Sequence, residues 1–151
     1  MRVIKRGKVP FKEKRFMLTE KDYCDKDLSD ALKRSGFPTK MTFIGEQATI
    51  EIPINSGLIS LYEAQKWLRE EREVYVTVIP EYNEFRPIKG VKYRLEVAYW
   101  KDDEFGYGTI EWLDEECPHT IITFDSYEEA LSEGIKEAVK ILKAVKILKG
   151  E

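Results

Sequence analysis

Cys117-Pro118-His119 is the one place in the chain where a thiol and an imidazole stand two residues apart. Alternate positions of a strand share a face, so this pair could offer two metal ligands, or a nucleophile and its base. A tetrahedral metal site needs a second pair of ligands at matching spacing. His119 is the only histidine, and the other cysteine, Cys24, lies far upstream. Thiol catalysis also needs a group that orients the base. Glu115 or Glu116 could do so, but Pro118 disturbs regular pairing. The stretch reads as a charged turn. The acidic runs Asp102-Asp103-Glu104 and Asp114-Glu115-Glu116 lack the alternating ligand spacing of a calcium loop. No phosphate-binding glycine loop, dinucleotide fingerprint or nucleophile elbow is present. The expectation is therefore a protein without catalytic residues, cofactor or metal.

The aromatic residues carry more information. Nine of the eighteen fall between positions 75 and 112. Tyr93 and Tyr99 belong to the buried register of an alternating strand, which leaves Tyr82, Phe85, Trp100, Phe105 and Tyr107 for the surface. Beside Arg86, Arg94 and Lys92 they could stack a base or anchor a protein partner. Tyr82, Phe85, Arg86, Arg94, Trp100, Phe105 and Tyr107 are the candidate contacts to a ligand or partner.

The elements that would position them follow from periodicity. Asp25 or Asp27 caps a short helix with apolar positions Leu28, Ala31 and Leu32, and Ser35-Gly36 ends it. Met41 to Ile44 and Thr49 to Ile52 form a hairpin around Gly45-Glu46. Ser60 and Glu63 make a capping box for a helix that buries Leu61, Ala64, Trp67 and Leu68. Strands are expected at Val74 to Ile79, stopped by Pro80, then along VKYRLEVAYW, Thr109 to Leu113 and Thr120 to Phe124. Ser126 or Asp125 caps the last helix, whose stripe is Tyr127, Leu131, Ile135, Ala138, Val139, Leu142 and Val145. The hexapeptide AVKILK occurs at 138–143 and again at 144–149. Six residues turn a helix by about 600°, so the second copy falls about 120° out of phase. The first copy is core. The second either frays or docks on another surface, such as a second subunit.

A chain of 151 residues with 42% hydrophobic and 35% charged side chains is long enough to hold a core without staples. No apolar run approaches the ~20 residues of a membrane span. The two separated cysteines suit a reducing compartment, so a cytoplasmic protein is expected. The net charge of −3 hides an asymmetry: residues 1–18 hold Arg2, Lys5, Arg6, Lys8, Lys12, Lys14 and Arg15 against Glu13 alone. Such an arm can touch nucleic acid, an anionic partner or the protein's own acidic body.

The segments YCDKDLSDALKRSGF (23–37), SLYEAQKWLREEREVYVTVIP (60–80) and FDSYEEALSEGIKEAVKIL (124–142) resemble small phage- and prophage-encoded proteins of Bacteroides-type gut bacteria. Those proteins share a Q-x-W-L-R-E helix and a closing Y-E-E-A-L-x-x-G-I-x-E-A helix, and the resemblance implies a phage origin. The closing strands and helix also resemble the end of HicB-type antitoxins, which pair with an RNA-cleaving toxin. Their Pro-Gly-Cys turn is replaced here by Glu116-Cys117-Pro118, and their DNA-binding tail is absent. Helix, three strands, helix is likewise the order of double-stranded RNA-binding domains. Such domains place lysines at the start of the last helix to reach phosphates, where this chain has Glu128 and Glu129.

The reading is an α+β fold: an antiparallel sheet of four to six strands, helices mainly on one face, and a long C-terminal helix. Residues 1–20 form the basic arm and 21–151 one domain, with helix plus hairpin in 21–57 and helix, strands, helix in 60–148. The expected function is that of a phage or prophage accessory protein in the cytoplasm of a bacterial host. It would bind a host protein or small molecule without catalysis, in a role such as countering a host defence. The alternative is a HicB-like antitoxin or a nucleic-acid-binding regulator acting through the arm. No membrane contact is expected, and the chain is read as a monomer or as a homodimer through the C-terminal extension.

Overall fold

The computed structural model describes residues 17–81, 91–102, 106–111 and 121–148. Among the described residues, three helices and six strands follow in the order α1 (Lys26–Arg34), β1 (Lys40–Ile44), β2 (Thr49–Pro53), α2 (Leu61–Arg72), β3 (Tyr75–Glu81), β4 (Lys92–Asp102), β5 (Gly106–Glu111), β6 (Thr123–Phe124) and α3 (Tyr127–Leu148). A short 3-10 turn, Glu20–Asp22, precedes α1. The α+β class with a long C-terminal helix is as expected from the sequence.

Local chemistry sets the helix ends. Asp25, not Asp27, caps α1 by accepting from the Leu28 amide at 2.8 Å. Gly36 closes the helix at φ +107°, a conformation open to glycine and costly for other residues. The turn brings Phe37 edge-on to Trp67, with ring centroids 5.5 Å apart. Arg72 lies over the other part of that indole and donates to the Ser35 carbonyl at 2.6 Å. Ser60 caps α2 through the Glu63 amide at 3.0 Å. Ser126 does the same for α3 through the Glu129 amide at 3.1 Å.

The strands form two antiparallel sheets rather than one. β3, β4 and β5 run as a meander, and β6 pairs with β4. β3 takes one edge of β4. On the other edge β5 pairs from Glu96 to Asp102, and β6 resumes the pairing at Tyr93 and Arg94. Pro80 does not stop β3, which continues to Glu81. A proline is tolerated where its missing N–H would point away from the ladder. β5 begins at Gly106, earlier than the sequence suggests, and β6 is confined to two residues.

α2 and α3 pack against one face of this sheet. Leu61, Ala64, Trp67 and Leu68 of α2 are buried, as are Ala130, Leu131, Ile135, Ala138, Val139 and Ile141 of α3. All of these but Ala130 meet Val76, Leu95 and Val97 from the sheet and Leu28, Leu32 and Phe37 from the α1 region in one cluster. Ala130 and Ile141 widen the stripe beyond the narrower one expected. The second AVKILK copy continues α3 as far as Leu148, and Lys143 and Ala144 are already exposed. Among the described side chains the core ends inside the first copy, and the expected stripe residue Val145 lies outside them.

Helix and sheet come closest at Gly134. A Cβ there would stand 2.7 Å from Leu95 Cδ1 and closer still to Val76 Cγ1. In an open helix Gly→Ala stabilises by about 1 kcal/mol. Here the methyl group has nowhere to go, and overpacking of this kind costs about 1–3 kcal/mol. Gly134→Ala should therefore lower the stability measured by urea unfolding. A stabilised variant would show that the helix does not rest on the sheet at this point.

Candidate binding surfaces

The face of the four-stranded sheet opposite the helices is built from alternate residues of each strand. Tyr75, Thr77, Ile79 and Glu81 of β3 oppose Ala98, Glu96, Arg94 and Lys92 of β4, and Trp100 follows on the same side. The register sets Trp100 against Tyr107 and Arg94 against Thr123. Trp100 is 38% exposed. Two of the expected contact residues, Trp100 and Tyr107, are thereby brought to neighbouring positions.

Arg94 and Lys92 are not beside them. Arg94 is six residues from Trp100 along one strand, about 20 Å. Its Nε donates to Glu81 Oε1 at 2.7 Å, and Lys92 pairs with Asp125. Among the described residues, Arg94 and Lys92 are thus each matched to a carboxylate, Glu81 and Asp125, and not to Trp100 or Tyr107. Tyr82, Phe85, Arg86, Phe105, Cys117 and His119 lie outside the described residues. So do the arm residues Arg2, Lys5, Arg6, Lys8, Lys12, Lys14 and Arg15. Of the 1–20 arm only residues 17–20 are described, and Thr19 caps the 3-10 turn by donating its amide to Asp22 Oδ2 at 2.8 Å.

A second surface belongs to the β1–β2 ribbon. Met41 is opposite Ile52 and Phe43 opposite Ile50, so four large apolar side chains share one face. They are 48%, 46%, 50% and 58% exposed, in the order named. The other face carries Lys40 and Glu51, paired at 3.1 Å, with Thr42, Thr49 and Ile44. Every residue of both strands is exposed, and no other described strand pairs with either. The ribbon is held at its base: the Ile54 amide donates to the Thr39 carbonyl at 2.9 Å and Asn55 Nδ2 to the Pro38 carbonyl at 2.7 Å. A lone two-stranded hairpin is marginal in water, which makes an uncovered apolar face on one informative. The sequence gives these strands as a hairpin following the first helix and leaves open whether they join the main sheet. Their alternation, M-T-F-I and T-I-E-I, marked an apolar face without saying what covers it.

Three ionisable groups, Cys24, Asp22 and Tyr62, are perturbed near the base of α1, the Tyr62 hydroxyl being pushed up by burial and then by Asp22. Burial, with the Asp25 charge beside it, pushes the Cys24 thiol up to about 12, and the side chain is fully buried. A protonated, inaccessible thiol is structural, not reactive. Asp22 is held below its ordinary 3.8 by the Thr19 amide, and then by Tyr62, whose hydroxyl donates to Oδ1 at 2.8 Å. Among the described residues no group of three His, Cys, Asp or Glu side chains could hold a metal, and no helix is long and apolar enough to cross a membrane.

No protein-family model, curated protein or solved structure matches this chain.

The thiol makes a direct prediction: in a Cys117→Ser chain, Cys24 should stay unlabelled by a disulfide reagent until urea unfolds the protein. Rapid native labelling would contradict its burial. Asp22 has a lowered folded-state value, so its contribution is present above pH 3.8 and is lost as pH falls through that lower value. Asp22→Asn should therefore melt below wild type at pH 7, with the gap narrowing by pH 3; a gap that does not change with pH would exclude the linkage.

Proposed function

We propose that this chain is a non-enzymatic accessory protein, encoded by a phage or prophage, that acts in the host cytoplasm by binding a host protein through its β1–β2 ribbon. The observation that carries the reading is the face formed by Met41, Phe43, Ile50 and Ile52, which no described element covers. A flat apolar strip flanked by strand edges suits a protein surface better than a small ligand, which takes a concave pocket. Large exposed apolar side chains of this kind anchor protein contacts. The phage-like segments support the origin, and countering a host defence is the role that fits an accessory protein of that origin. Duplex RNA is disfavoured on charge, since Glu128 and Glu129 occupy the first turn of α3.

The test is a comparison of baits. Phe43→Thr with Ile50→Thr removes the apolar groups but keeps a cross-strand pair of strand-forming residues at exposed positions, where substitutions usually shift stability by only about 0.5 kcal/mol. Full-length wild type should retain a host protein that the double variant, melting at the same temperature, releases. A partner held equally by both baits would remove the ribbon from the function.

A further inference from the structure

The outer edge of β3 differs from the ribbon in being built into the body of the protein. Two observations fix which backbone groups it presents. The Val76 carbonyl accepts from Gln65 Nε2 of α2 at 2.8 Å, so Val76 points its backbone polar groups away from β4. Pro80, in the same alternation, has no N–H to give to the ladder. Residues 76, 78 and 80 therefore face outward, while 75, 77, 79 and 81 exchange hydrogen bonds with β4. Among the described residues the Val76 N–H, both polar groups of Val78 and the Pro80 carbonyl have no partner.

A groove of about 200 Å³ runs beside this edge, lined by Gln65, Arg69, Tyr75, Thr77, Val78 and Tyr127. α2 runs antiparallel to β3, joined by the Val74 amide on the Leu68 carbonyl at 3.0 Å. Arg69 therefore stands toward the start of β3, one turn beyond Gln65, and Tyr127 stands at the Val78 end. Arg69 is exposed and forms no ion pair among the described residues. The groove thus has an apolar end and a cationic end, with free strand groups between them.

We infer that the free edge of β3 is a strand-addition site for an extended peptide running antiparallel to it, with an apolar residue opposite Val78 and an acidic side chain two residues further on. Opposite Val78 the peptide residue exchanges both of its backbone hydrogen bonds. Its side chain falls on the helix side, against Val78 and Tyr127. Two positions toward the peptide C-terminus the next helix-side residue meets Arg69, and a carboxylate there finds the one cation among the described lining residues. Gln65 and Pro80 bound the open stretch and keep it short, which favours a short linear segment over continued sheet growth. The site is distinct from the ribbon and stands or falls separately.

The test titrates the full-length, nitrogen-15-labelled protein with acetyl-Ser-Thr-Val-Thr-Glu-Thr-Ser-amide and with the same peptide carrying Lys for Glu. The Glu peptide should shift the Val76 and Val78 amides saturably and raise protection of the Val78 N–H against exchange about tenfold or more. Arg69→Glu should weaken the Glu peptide about fivefold and improve the Lys peptide. Val78→Pro, tolerable at an edge, should abolish binding; should that variant not fold, the Val78 exchange measurement in wild type reads the same bond. Absence of saturation at about 1 mM peptide, indifference to Arg69→Glu, or shifts confined to the ribbon would each overturn the proposal. So would a Val78 N–H already protected before peptide is added, which would mean that the chain fills its own edge.

Discussion

The fold depends on how closely α3 lies on β3 and β4. Gly134 permits that approach, leaving room for Val76 and Leu95 where any side chain would collide with them. Leu131, Ile135 and Ala138 then reach the sheet, and α2 packs alongside with Trp67 and Leu68. Apolar burial of this kind is the main favourable contribution to folding. Here it is concentrated on one side of the four-stranded sheet. What is left for recognition is the opposite face, the sheet edges and whatever stands outside the core.

The ribbon stands outside it. Its register is well specified by Met41–Ile52 and Phe43–Ile50 pairs, and cross-strand pairs of that type contribute some tenths of a kcal/mol each. They hold the two strands together without hiding the face they form. β3 shows the opposite balance. Its side chains are anchored beneath by Val76 and Val78, while among the described residues its outer backbone groups have no hydrogen-bond partner except where Gln65 caps one carbonyl. One surface offers apolar area and the other offers directional hydrogen bonds, so the two select different kinds of partner.

The helices were legible in the sequence because their determinants are local. Ser60 with Glu63, and Leu61, Ala64, Trp67 and Leu68 at helical spacing, specify α2 almost completely. Asp25 and Gly36 do the same for the ends of α1. Strand pairing is not local. The alternation in M-T-F-I and T-I-E-I marks an apolar face but does not say whether a third strand joins it. Arg94 could not be matched to Glu81 without the β3–β4 register, so it read as a free cation near Trp100 when it is an ion-paired one a strand length away. Pro80 read as a stop because its outward position depends on which edge of β3 is free. Gln65 and Arg69 sat on the margin of the helix stripe, and only the tight turn into β3 turns them toward a strand edge. Ala130 and Ile141 were missed because α3 packs against sheet and α2 together, which widens the face it must bury.

The account holds that burial closes one face of the four-stranded sheet and leaves the apolar face of the β1–β2 ribbon uncovered by the other described elements. Residue-resolved hydrogen exchange on the full-length protein measures that contrast directly. Amides of the β1–β2 ladder should exchange more than about a hundredfold faster than those of Leu95, Val97 and the buried turns of α3. Ribbon amides as protected as those of β4 would show that the ribbon is already covered, and would contradict the account.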